Sequence, residues 1–199
     1  NNPVNNIDVN GDSIWYTRNG DIVTMHVTAK IFNNSSDNIN MARAAKDIVS
    51  DIKSTYEGKF EWSDNKTYNL KVDMDLKVAT SMKDVENSDH LFVLADSDSK
   101  GARGATSMLG GKVMTLASSD FANNNWLSNN LSYNKTFTAT HEFGHAIGLS
   151  HSQNPFNIMK QGGVVHNSNS NQRVIMLQQQ NNLNNNLVVD IYNLGLKWR

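Results

Sequence analysis

Three imidazoles and one carboxylate fall within a single short stretch, His141-Glu142-Phe143-Gly144-His145-Ala146-Ile147-Gly148-Leu149-Ser150-His151. On a helix, His141 and His145 stand one turn apart on one face, about 6 Å between side-chain origins, so both rings can reach one cation at about 2.0 to 2.1 Å. Gly148 has no side chain to oppose a sharp or left-handed turn, so the helix can stop there and the chain can swing His151 back to the same ion. Three neutral imidazoles leave one tetrahedral position for water, the arrangement of a catalytic rather than a structural zinc. Zinc acidifies that water and polarises a carbonyl, while Glu142 is placed to take the proton and pass it to a departing amine. The spacing therefore implies metal-assisted amide hydrolysis. A chance match to all five fixed positions comes out at roughly one in ten thousand or less, so unrelated surface histidines are a poor explanation.

Other elements must hold this segment in place. Val23, Met25, Val27, Ala29 and Ile31 alternate with polar residues, which predicts a strand with one buried face over 22–32. After a capping cluster at Ser35-Ser36-Asp37, the spacing of Ile39, Ala42, Ala45, Ile48, Ile52 and Tyr56 predicts a long amphipathic helix stopped by Gly58. Tyr68, Leu70, Val72, Met74, Leu76 and Val78 predict a second strand, the apolar run 91–95 a more buried one, and 112–117 a last one. Between these, 97–111 is a loop carrying a short edge strand near 105–109. Residues 118–134 form a polar loop anchored by Phe121 and Trp126, followed by a helix over about 135–148. Val174, Leu177, Leu183 and Leu187 suggest a C-terminal helix. Strand, helix and then several strands give an α/β (α+β) sheet protein.

Composition narrows the class. A chain of 199 residues with 38% hydrophobic content can bury a substantial core as one domain. The net charge of -1 argues against nucleic acid, and no apolar run approaches the roughly 20 residues needed to span a bilayer. Cysteine is absent, so a transition-metal site must be built from imidazole and carboxylate. Residues 1–6 carry neither the basic nor the apolar region of a secretory signal, which is therefore absent or already removed.

The string His-Glu-x-x-His-x-x-Gly-x-x-His resembles the metzincin signature, and Ser152 directly after the third histidine resembles the matrixin (matrix metalloproteinase) variant. The resemblance implies a zinc metalloendopeptidase that cleaves internal bonds of protein or peptide substrates, with zinc on His141, His145 and His151 and with Glu142 as general base. It implies a methionine turn beneath the metal, for which Met159 in Asn157-Ile158-Met159 is the candidate. The implied fold is a twisted mixed sheet with two long helices in an upper subdomain, about 14–148, over a smaller lower subdomain with a C-terminal helix, about 149–199. Gln161 stands where astacins and serralysins offer a tyrosine ligand, and Lys160 where matrixins carry an aromatic residue. A secreted or cell-surface monomer is expected.

Lesser signals complete the set. The edge strand, through Ala105, Thr106, Ser107 and Met108, would pair with an extended peptide. Gly162, Gly163, Val164, Val165 and His166 follow the methionine turn, where the resemblance implies one wall of a specificity pocket. Asp96-Ser97-Asp98 ending at Gly101 echoes a calcium loop, yet Lys100 and Ser107 stand where oxygen ligands are wanted, so a polar turn is the better reading. His26 and His90 read as hydrogen-bonded strand residues rather than ligands. The rival function is a non-catalytic zinc module for adhesion. A third reading keeps the chemistry in a toxin or effector domain cut from a larger secreted chain, consistent with the Asn-rich start and the end at Arg199.

Overall fold

A computed structural model describes residues 14–62, 65–96, 104–122, 136–161 and 172–173. Its centre is a seven-stranded mixed sheet. Strand β1 (Ile14–Asn19) turns back through Gly20 into β2 (Ile22–Asn33), pairing antiparallel. Helix α1 (Met41–Tyr56) follows, then β3 (Gly58–Glu61) and β4 (Thr67–Ala79), which pair antiparallel with each other. Strands β5 (His90–Ala95) and β7 (Val113–Ala117) extend the sheet in parallel, and β6 (Gly104–Thr106) closes one edge antiparallel to β7. The order is β3-β4-β2-β5-β7-β6, with β1 paired to the first half of β2 on the edge that β5 takes further along. Helix α2 (Phe137–Ala146) carries the histidine segment.

The predicted alternation in β2 is the observed burial: Val23, Met25, Val27, Ala29 and Ile31 all point into the core. In β4 the pattern holds from Tyr68 to Met74, then changes phase, so that Val78 is 41% exposed and Ala79 is buried. On the other side of the sheet, Met82 and Val85 of the β4–β5 connection pack on Leu91, Val93 and Val113. Strand β5 is thereby covered on both sides, with Phe92 and Leu94 facing the main core, which explains its unbroken apolar run.

Helix α1 starts later than the sequence suggests. Its cap is Asn40, whose side chain accepts from the Arg43 amide at 3.0 Å. Ser35 and Asp37 are instead taken up in a turn organised by Asn33, whose Oδ1 accepts from the Ser35 amide and hydroxyl. Ile39 sits in an isolated bridge with Ala122. Ile48, Ile52 and Tyr56 form the fully buried stripe of α1 against the sheet and α2. The expected edge strand at 105–109 is shorter, because the chain already turns at Ser107, with the Gly111 amide donating to Met108 O. Strands β1 and β3 were not anticipated. Trp126 and the C-terminal helix lie outside the described residues, apart from Gln172 and Arg173.

Candidate metal centre

The end of α2 is a glycine-terminated cap. Gly148 adopts φ +90, the Leu149 amide donates to Gly144 O at 2.8 Å and the Gly148 amide to His145 O at 3.0 Å. This is the paired bonding of a Schellman motif, which needs a residue tolerant of positive φ at that position. The chain reverses there and brings His151 over the helix. The Ser152 amide donates to Met159 O at 2.8 Å, which ties the third histidine to the segment that follows.

Ligand-capable nitrogens of His141, His145 and His151 lie within 4.8 Å of one another. His141 Nδ1 is 2.7 Å from Ile158 O, and His145 Nδ1 is 2.7 Å from Leu149 O. A carbonyl can only accept, so both Nδ1 atoms carry the proton and both Nε2 atoms present lone pairs. His145 Nε2 and His151 Nε2 are 3.1 Å apart, and the three ring centroids are separated by 4.7, 4.9 and 5.4 Å. Tetrahedral imidazoles at about 2.05 Å from one zinc would place their nitrogens about 3.3 Å and their centroids about 5.2 Å apart. The donor set therefore fits a zinc ion. Burial lowers the pKa of His141 and of His145, which favours the neutral, metal-binding form.

Residues 16–181 match the family description of matrixins. The chain belongs to the matrixin family. This matrixin brings together three histidines that could hold a metal ion. No curated protein matches it. Among solved structures it is similar to metalloproteinase-II from Bacteroides fragilis, at 15% identity and a TM-score of 0.44, covering 76% of this chain and 52% of that one. It is also similar to archaemetzincin from Methanopyrus kandleri, at 15% identity and a TM-score of 0.39, covering 85% of this chain and 97% of that one. The chain thus spans about half the length of the Bacteroides protein.

In this matrixin Glu142 is buried beside the histidines, and Thr106 Oγ1 lies 2.7 Å from its Oε2. Burial raises the Glu142 pKa, while donation from Thr106 and the nearby His145 and His151 oppose that rise. Met159 is fully buried directly beneath the helix, so close to Gly144 that a side-chain carbon there would collide with its sulfur. Tyr56, at the end of α1, donates to Thr140 O at 2.9 Å and touches Met159 Sδ at 3.8 Å. Behind this floor, Asn157 and Gln172 exchange amide hydrogen bonds at 2.8 and 2.9 Å, and Asn157 Oδ1 accepts from the Met159 amide. Arg173 donates to the carbonyls of Tyr56, Glu57 and Lys59, closing the end of α1.

A pocket of about 330 Å³ opens beside the metal centre, lined by Thr106, Met108, Leu109, His145, Ser150 and His151. Of the proposed substrate-contact residues, Thr106 and Met108 reach it. Ala105 is exposed on the edge strand. Ser107 does not face the pocket: its hydroxyl is buried in its own turn, against the space that a side chain on Gly111 would fill. Gly162, Gly163, Val164, Val165 and His166 lie outside the described residues. The Leu109 and Tyr56 contacts were not foreseen, since each is made to residues far along the chain.

Asp96 Oδ1 accepts from the Ser36 amide and hydroxyl at 3.2 and 3.3 Å, while Ser97, Asp98, Lys100 and Gly101 of the echoed calcium loop are not among the described residues. His26 lies between Thr17 Oγ1 at 2.8 Å and Asp73 at 3.1 Å, stacked on Trp15. His90 is buried at the start of β5. No helix among the described residues is long and apolar enough to cross a membrane.

Proposed function

We propose that this matrixin is an endopeptidase in which Glu142 is the general base and His141, His145 and His151 hold the zinc. The observation that carries this reading is the convergence of the three imidazoles beside a buried carboxylate. Bound zinc supplies the Lewis acid that polarises the scissile carbonyl and acidifies a water molecule. Glu142 takes the proton from the attacking water as the oxygen–carbon bond forms, and delivers it to the amine as the carbon–nitrogen bond breaks. The outer edge of β6, which no strand covers among the described residues, takes the extended substrate main chain. An open edge and an open pocket suit a chain that passes through, which supports cleavage of internal bonds.

The domain proposal is a single catalytic unit, with an upper subdomain of about 14–148 and a lower one of about 149–199. We further propose that it acts outside the cell or at the cell surface, as the sequence resemblance implies. Purified, zinc-loaded protein should cleave casein or gelatin in a chelator-sensitive way. Glu142→Ala should keep its zinc and lose roughly two to four orders of magnitude in kcat. Full activity in that variant would remove Glu142 from the reaction, and absence of cleavage by stoichiometrically metallated protein would overturn the peptidase reading. A hydroxamate that binds without any cleavage would favour the non-catalytic module.

A further inference from the structure

We propose that Thr106 is a positioning residue that locks one oxygen of the Glu142 carboxylate and leaves the other free to move protons, an inference that rests on Glu142 being the general base. Glu142 is 7% exposed, and a buried carboxylate must find donors or pay for its isolation. Thr106 supplies one. Its hydroxyl lies 2.7 Å from Oε2 and 2.9 Å from the Glu142 carbonyl oxygen, so the same hydroxyl group touches both ends of the residue. Its branched Cβ restricts rotation, which keeps the donor aimed.

Gly104, two residues earlier in the same strand, keeps a side chain away from the second oxygen. A side-chain carbon on Gly104 would stand 2.9 Å from Glu142 Cγ and 3.1 Å from Oε1, and would collide with Thr138 Cγ2. Strand β6 thus presses its bare backbone on the carboxylate stem at 104 and grips Oε2 at 106. Oε1 is left as the oxygen that accepts and returns the proton. Because β6 is also the proposed docking edge, substrate alignment and base alignment share one rigid element.

Thr106→Val removes the hydroxyl donor while keeping the shape and the backbone hydrogen bond, whereas Thr106→Ser keeps both donors. In zinc-loaded enzyme with a peptide substrate, Thr106→Val should lose roughly ten- to a hundredfold in kcat, the scale of one hydrogen bond to a charged group, with KM within about twofold. Thr106→Ser should recover most of that loss, and zinc content should stay at one per chain in both. A second readout needs neither metal nor turnover: in zinc-free protein, the melting-temperature losses of Thr106→Val and Glu142→Gln should fail to add in the double variant. Unchanged kcat in Thr106→Val while Glu142→Ala is inactive would overturn the proposal, as would a serine variant no better than valine or additive melting losses. Retained activity in Glu142→Ala would instead sink the general-base reading itself. Should the valine variant fold poorly, Thr106→Ala against Thr106→Ser makes the same comparison.

Discussion

A histidine that binds a cation must offer a lone pair, and at His141 and His145 the backbone decides which nitrogen offers it. The Ile158 and Leu149 carbonyls hold the proton on Nδ1, so Nε2 of each ring turns inward. His90 shows how different a buried histidine can be. Full burial, with the Lys112 charge adding to it, lowers its pKa from 6.5 to about 3. Unfolded chains take up a proton at this residue below about pH 6.5, whereas the folded protein does so only near 3, so stability falls as pH drops through that window. The slope attributable to His90 should approach about 1.4 kcal/mol per pH unit. Urea denaturation of His90→Gln against the parent between pH 6.5 and 4 measures it, and identical pH slopes would refute the assignment. The convergence of His141, His145 and His151 was legible in the sequence because their spacing along one helix and its cap is local. Thr106 and Tyr56 were not legible in their roles, since the partners Glu142 and Thr140 lie far away along the chain and only packing reveals them.

At the scale of elements, the turn at Gly148 decides whether α2 ends in time for His151 to return. An L-residue at φ +90 is strained, so Gly148→Ala should cost about 1 to 2 kcal/mol in stability. It should also weaken zinc binding by roughly tenfold, as disturbing the support of a ligand usually does. Competition with a chromophoric chelator measures the second effect, and unchanged affinity would show that His151 does not depend on this cap. The long strands were legible because residues such as Val23 to Ile31 alternate strictly. Short β1 and β3 were not, having too few residues to show a period, and the Asn40 cap was hidden by an equally plausible polar cluster at 35–37. The end of β4 departs from its own alternation at Val78 and Ala79, which the regular pattern of the preceding residues does not report.

The whole molecule couples these parts. A zinc ion bound by the native histidines stabilises the folded state by mass action, by about 2.7 kcal/mol at a free concentration a hundred times its dissociation constant. Chelation should therefore lower the melting temperature, and titrating zinc back should raise it progressively while the variant His145→Ala responds far less. Equal responses would place the stabilising ion elsewhere. The overall α+β order was legible from the succession of periods, whereas the pairing order of the sheet, with β1 and β5 sharing one edge of β2, was not. The guanidinium of Arg173 clasping the carbonyls at the junction of α1 and β3, beside the amide pair of Gln172 with Asn157, has a temporal implication. During synthesis the histidine-bearing helix leaves the ribosome before these fasteners do, so a nascent polypeptide stalled short of residue 172 has its imidazoles but lacks these contacts behind them.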